Sequence, residues 1–379
     1  MRKSRTMLRV PPAVVGYRLE RVFGWPKVLP INLTLSVTNK CNSKCRTCFI
    51  WKHYEENPNL HFFELTDDEY GKIFRSLGKH VVWITISGGE PYLRVDLPEI
   101  CAGLQANCGP SAINIATNGL LPEIIQESTA RILQSCSDTI VTVNLSLDGM
   151  EEEHDLMRGI AGNFVKALET YRRLKELKES FPNLRLGMHS VVSRFNIGQL
   201  PKLHNYVTRM VPDSYITEIA ENRAELFNMG EAIAPNPQDY VAFVKYLLDK
   251  TNEESRHVAD GTSKLIQAFR RRYYDTAAKE VTTGREIIPC YAGYASAQIT
   301  PNGDVWPCCI FGNEKTMGNL RNFNFNFRRL WRSKKAQEVR EWIGNQKCHC
   351  QLANAHYTNI LCNPSSMLKV LFSYLSSSL

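Results

Sequence analysis

From residue 32 onward, apolar and polar positions follow two alternating rhythms. NLTLSVTN (32–39), VVWITIS (81–87), AINIATNG (112–119), TIVTVNLSLDG (139–149), LRLGMHSVV (184–192) and SYITEIA (214–220) are short runs rich in β-branched residues, and each predicts a strand. Helical spacing fills the intervals. In ELTDDEYGKIFRSLG, the positions of Tyr70, Ile73, Phe74 and Leu77 predict a helix that a Thr66/Glu69 capping box opens and Gly78 stops. Phe164, Leu168, Tyr171 and Leu174 mark a second helix, and a third is expected at about 198–211. Strands alternating with helices at this spacing predict a parallel βα repeat of six units, an α/β partial (β/α)6 TIM-like barrel. Each strand ends in a polar or glycine-containing loop, the end at which such barrels carry chemistry.

From about 236 the pattern changes to helices, QDYVAFVKYLLDK and then 253–280, and after Cys290 to short strands with cysteines. PNGD (301–304) has the residues of a hairpin turn. The expected organisation is an N-terminal extension (1–31), the barrel (32–235), a helical linker region (236–289), a small cysteine-rich α+β extension (290–362) and an apolar C-terminal tail (363–379).

The chain has 379 residues, enough for two or three domains, and 43% apolar and 22% charged residues are ordinary for a soluble protein. A net charge of +8 suits an anionic partner or nothing specific, and without a basic cluster interleaved with aromatics no nucleic-acid partner is expected. MRKSRTMLRVPP lacks the apolar core of a signal peptide, and no run of 18 apolar residues predicts a spanning helix. Twelve grouped cysteines then imply metal or catalysis in a reducing cytoplasm. The basic N-terminus and the tail at 367–375 raise peripheral membrane contact as an expectation, against the plainer one that both ends pack on the core.

Cys41, Cys45 and Cys48 fall at i, i+4 and i+7 on the loop after the first predicted strand. Zinc usually requires a fourth Cys or His nearby, and only His53 lies in the next ten residues. CNSKCRTC resembles the CxxxCxxC signature of the radical S-adenosylmethionine (radical SAM) superfamily. SGGEP (87–91), TNG (117–119) and SLDGMEEEHDLMRG (146–159) continue that resemblance in order. It implies a 4Fe–4S cluster on Cys41, Cys45 and Cys48, with S-adenosylmethionine on the fourth iron. Electron transfer into the sulfonium would then yield a 5′-deoxyadenosyl radical that abstracts hydrogen from a substrate.

The resemblance further implies that Gly88 and Gly89 admit the methionine moiety and that Glu90 accepts from its ammonium. Thr117, Asn118 and Ser146 would contact ribose or carboxylate. Arg158 is placed either to pair with a carboxylate or to serve structure, and Asp148 to orient Ser146, to face the substrate or to cap a turn before Gly149. Thr47 stands where the superfamily often has an aromatic residue, so Phe49 or Trp51 is expected to pack the adenine. A reductant such as flavodoxin or ferredoxin is implied as a partner.

Cys290 and Cys308, spaced about Gly303, resemble the opening of SPASM and twitch domains, and GNL (318–320) and KCHC (347–350) continue the likeness. One auxiliary 4Fe–4S cluster on Cys290, Cys308, Cys348 and Cys350 is implied, with Cys309 or Cys362 as substitutes. Cys101, Cys108 and Cys136 are expected to be buried and inert. His189 is read as a core residue or a pocket residue, and Glu218, Glu221 and Arg223 as substrate contacts or a solvated loop. The substrate stays open among peptide, small molecule such as a sugar or alcohol, and lipid. The alternative reading is a non-catalytic iron–sulfur electron carrier or regulator.

Overall fold

A computed structural model describes residues 8–255, 261–345 and 349–376. Strands β1 (Asn32–Ser36), β2 (Trp83–Ser87), β3 (Ala112–Thr117), β4 (Ile140–Ser146), β5 (Leu184–Val192) and β6 (Ser214–Ile219) pair in parallel, each with the next. The same sheet continues beyond β1 through β7 (Ser296–Ile299), β8 (Asp304–Trp306) and β9 (Gly318–Asn319), in the order β6-β5-β4-β3-β2-β1-β7-β8-β9. All six expected barrel strands are present. The cysteine-rich region is therefore an extension of the barrel sheet: β7 runs parallel to β1, with Asn32 opposite Ser296. The 301–304 turn then reverses the chain into antiparallel β8.

The helices are α1 (Val10–Phe23), α2 (Asp67–Leu77), α3 (Leu97–Asn107), α4 (Pro122–Ser135), α5 (Glu151–Arg158), α6 (Asn163–Ser180), α7 (Leu200–Met210), α8 (Pro237–Ser255), α9 (Gly261–Thr283), α10 (Lys334–Asn345), α11 (Ala353–Cys362) and α12 (Pro364–Ser376). The capping box forms: the Thr66 hydroxyl accepts from Glu69 N at 3.3 Å and the Glu69 carboxylate accepts from Thr66 N at 3.0 Å. Gly78 ends α2 at φ 61°, its N–H on Phe74 O.

Strands β2, β3 and β4 alternate fully buried and half-buried positions. Ile84, Ile86, Ile113, Ile115, Val141 and Val143 pack outward into the hydrophobic core. Thr85, Asn114, Thr142 and Asn144 face the opposite way, into the barrel. An eight-stranded barrel fills its interior with branched apolar side chains. Here the interior stays open and its wall is polar. Cys101, Cys108 and Cys136 are buried among the helices, as expected, and burial pushes the thiols of Cys108 and Cys136 up to about 12.

Helices α1 and α12 each pack on the core by one face, while the basic residues 1–5 lie outside the described residues. Tyr17 of α1 donates to Leu29 O at 2.6 Å, and Glu20 and Arg340 form an ion pair with both side chains fully buried. Ser366 and Val370 bury one side of α12. Among the described residues, no helix is long and apolar enough to cross a membrane.

Candidate metal centre and cavity

The loop after β1 is held by backbone bonds from three directions. Gly89 N and Glu90 N donate to Thr38 O and Lys40 O at 2.7 and 2.8 Å, Lys44 N and Arg46 N to Arg158 O and Met157 O at 2.9 and 3.0 Å, and Phe49 N to Leu226 O at 2.8 Å. The glycines of SGGEP earn their place here. A Cβ on Gly88 would stand 2.2 Å from Thr38 O and one on Gly89 2.2 Å from Lys40 O, so any side chain would push the cysteine loop away. Besides the expected role beside the methionine moiety, the two glycines thus have a local role: they admit the cysteine loop.

Glu90 joins two motifs. Its buried carboxylate accepts from the Thr117 hydroxyl at 2.9 Å, Asn118 N at 2.7 Å and Tyr92 N at 3.2 Å. Burial raises its pKa, against those hydrogen bonds, to about 7. Asn118 Nδ2 reaches back to Asn42 Oδ1 at 2.7 Å, tying TNG to the cysteine loop.

Arg158 lies against the thiols. Its Nη1 is 3.6 Å from Cys45 Sγ and its Nη2 2.9 Å from Asp148 Oδ2. Asp148 also accepts from Val191 N at 2.7 Å, so the aspartate orients the arginine and β5 together. His154 accepts from Asp148 N on Nδ1 at 3.0 Å and faces Asn163 Oδ1 through Nε2 at 3.1 Å. Burial, with the Arg158 charge, depresses its pKa to about 4 and keeps the ring neutral.

These residues surround one cavity of about 540 Å³. Cys41, Cys45, Cys48, Gly88, Gly89, Glu90, Thr117, Asn118, Ser146 and Arg158 all line it, so the structure brings together the whole first set of expected site residues. Thr47 and Ile50 line it too, whereas Phe49 and Trp51, expected to pack the adenine, do not. His189 faces the cavity, correcting its reading as a core residue, with Nε2 3.6 Å from Glu218 Oε2. Glu218, Glu221 and Arg223 form a charge cluster whose side chains are only 11–14% exposed, and not a solvated loop. Arg223 Nη2 is 3.1 Å from Glu218, whose carboxylate accepts from Ala353 N, and Glu221 accepts from Gln351 N. Burial would raise the Glu218 pKa, but Arg223 and His189 outweigh it and hold the group at about 2.

The second cysteine group reaches the same cavity from the other side. Cys308 and Cys309 line it, and Cys308, Ile310 and Cys350 pack against the buried Cys309, Leu352 and Ala355. Cys290 is buried in the main core, against which Cys308 also packs, and does not line the cavity. Cys348 lies outside the described residues, and Cys362 is buried at the end of α11, its carbonyl accepting from Arg18 Nε at 2.6 Å.

Sequence reasoning named Arg223 but missed Ala224, Glu225 and Asn228 around it, which connect the two groups. Asn228, fully buried, donates to Thr47 O at 2.9 Å and Glu221 O at 3.1 Å, while Ala224 N and Glu225 N donate to Ile310 O and Cys309 O. Glu225 also accepts from Ser36 Oγ at 2.6 Å and from Gln298. It missed the polar inner wall as well, which Thr85, Asn114, Thr142 and Asn144, alternating with Ile and Val in WITIS, AINIAT and IVTVNLS, announce.

The thiols fit an iron–sulfur centre. They are soft donors, three share one wall, and burial pushes the Cys41 thiol up to about 12, so a thiolate there needs a cationic partner beyond Arg158. Among the described residues, no three His, Cys, Asp or Glu side chains converge on a single metal ion.

Comparison with known proteins agrees. The model of the radical SAM superfamily matches residues 35–192, and that of the SPASM iron–sulfur cluster-binding domain matches 290–351. The chain is 24% identical over 299 residues to the antilisterial bacteriocin subtilosin biosynthesis protein AlbA of Bacillus subtilis, covering 77% of this chain and 58% of that one. The chain thus spans little more than half of that relative's length. A probable GTP 3′,8-cyclase of Methanococcus maripaludis (strain C5) is 31% identical over 255 residues, 67% of this chain and 73% of the relative. Among solved structures, native anSMEcpe with bound AdoMet and Cp18Cys peptide superposes with a TM-score of 0.57 at 19% identity, covering 92% of this chain and 97% of that one. The two matched domains imply 4Fe–4S clusters and S-adenosylmethionine as cofactors. The chain belongs to the radical SAM superfamily and carries a C-terminal SPASM domain.

Proposed function

We propose that this chain cleaves S-adenosylmethionine reductively and uses the resulting radical to take hydrogen from a peptide. The observation that carries the reading is that Cys41, Cys45, Cys48 and the GGE, TNG and Arg158 motifs meet around one cavity whose far wall holds Cys308 and Cys309. When bound, the cluster supplies the electron that splits S-adenosylmethionine into methionine and a 5′-deoxyadenosyl radical. The chain's own work is to hold and orient. Cys41, Cys45 and Cys48 would hold the first cluster; Cys308 and Cys350, with Cys290, Cys348 or Cys309, would hold an auxiliary one. Glu90 presents a carboxylate to the methionine ammonium while fixing Thr117 and Asn118 for ribose or carboxylate contacts, with Ser146 beside them. Arg158, steered by Asp148, offsets negative charge at Cys45.

A peptide is favoured over sugar and lipid by two comparisons: one relative serves bacteriocin biosynthesis and one similar structure holds a peptide. The neutral polar wall of Asn114, Thr142 and Asn144 suits backbone amides. Grouped thiolates need the reducing cytoplasm, where flavodoxin or ferredoxin would supply electrons. We extend this placement to peripheral contact with the membrane.

The test is anaerobic reconstitution with iron and sulfide, reduction by dithionite, and assay of 5′-deoxyadenosine from added S-adenosylmethionine. About eight irons in wild type and about four in a Cys41→Ala/Cys45→Ala/Cys48→Ala variant are expected, with deoxyadenosine from wild type alone. Stimulation by a randomised peptide mixture supports the substrate class. Full iron without cleavage would favour the electron-carrier reading.

A further inference from the structure

Helix α1 wears its polarity inside out. Between residues 8 and 25, every exposed side chain is apolar: Leu8, Pro11, Pro12, Val15, Leu19, Val22, Phe23 and Trp25, with Val22, Phe23 and Trp25 each more than 70% exposed. A surface helix ordinarily turns charged residues to water. Here the helix's own charges turn inward. Glu20 pairs with Arg340 in the core, Arg18 donates to Cys362 O at 2.6 Å and Arg21 to Cys290 O at 2.5 Å. Cations gather at the N-terminal end of this face. Arg9, just before α1, donates to Lys79 O, while Arg328 donates to Leu77 O at 3.1 Å and Arg332 follows one turn on, its N–H on Arg328 O at 3.2 Å. Helix α12, which follows Cys362 directly, repeats the pattern with Leu368, Leu371, Phe372 and Leu375 outward and Lys369 as its one charge.

We propose that the exposed face of α1, with the basic rim of Arg9, Lys79, Arg328 and Arg332, docks the enzyme on an anionic lipid surface. This rests on the peripheral placement above and is independent of the cofactor chemistry. Apolar side chains with aromatics at one end enter the headgroup boundary, and the cations meet the phosphates. Net charge favours this occupant over a second copy of the chain: at +8 the chain is drawn to an anionic surface and repels its own copy.

The experiment is flotation of the reconstituted full chain with vesicles of phosphatidylcholine alone or with one-third phosphatidylglycerol, at low and high salt. The comparison is a Val22→Glu/Phe23→Glu variant whose iron content and deoxyadenosine formation match wild type. Wild type should float with the anionic vesicles and release at high salt, while the variant binds at least about a hundredfold more weakly, from the apolar burial it loses. No flotation of wild type, or equal flotation of the variant, overturns the proposal. So does a lipid-free dimer of wild type, seen by sedimentation, that the variant abolishes. Because deoxyadenosine is measured in parallel, failure to float and failure of the radical chemistry are read separately.

Discussion

Cys41, Cys45 and Cys48 come from one short loop, whereas the second group draws Cys308, Cys309 and Cys350 from turns some forty residues apart in chain and Cys290 from the core. The first loop is laced by backbone bonds to the ends of β2, α5 and the segment after β6. The second is set by the β7–β8 hairpin and by Glu218 and Glu221 clasping the chain just after Cys350. The contrast concerns where geometry is stored. A loop of adjacent ligands needs only its walls; a dispersed set needs the sheet extended and the charge cluster in place. The segment 222–228 bonds to both, so the two are neighbours in structure although distant in chain.

The comparison breaks most sharply on the second group. Cys308→Ser and Cys309→Ser should both leave deoxyadenosine formation intact, and iron should fall by about four atoms only in the variant that removes a ligand. Loss of cleavage in both would mean that the regions are one functional unit. Next in size is Arg158→Gln, which removes the cation beside Cys45 and leaves the Asp148 carboxylate buried alone. Deoxyadenosine formation should drop about 10–100-fold and iron should leave the first site faster, while the second keeps its share. Equal loss from both sites would show that Arg158 only stabilises the fold.

The smallest effect is pH-dependent and belongs to the first region. The His154 pKa stands at about 4 against an ordinary imidazole value of about 6.5, so below pH 6.5 the unfolded chain takes up a proton that the folded ring refuses. Its contribution to stability is complete above that pH and is lost as pH falls toward 4, a span of about 3 kcal/mol. Unfolding by denaturant at pH 7, 5.5 and 4.5 should show this slope in wild type and a flatter one in His154→Gln. Parallel slopes would place the proton elsewhere.

Much of this was legible in advance. Six strands, the Thr66 capping box and the Gly78 stop follow from interactions within a few residues, which period and propensity record directly. That the ten expected residues share one cavity was also readable, because nine lie in the cysteine loop or at a strand end and Arg158 ends the helix after β4. Asn228, Glu225 and the clasp of Glu218 and Glu221 were not, since nothing near them in the chain names their partners.

The sequence by itself determined the repeat, the position of its polar loops and the family of its chemistry, because helix and strand periods and the cysteine spacing are local properties of the chain. Only the tertiary structure decided that β7 joins β1, that His189 and the inner polar rows face an open cavity, and that α1 turns apolar side chains to solvent. Those outcomes depend on strand order and on which face each element finds covered, and burial is a relation between distant segments.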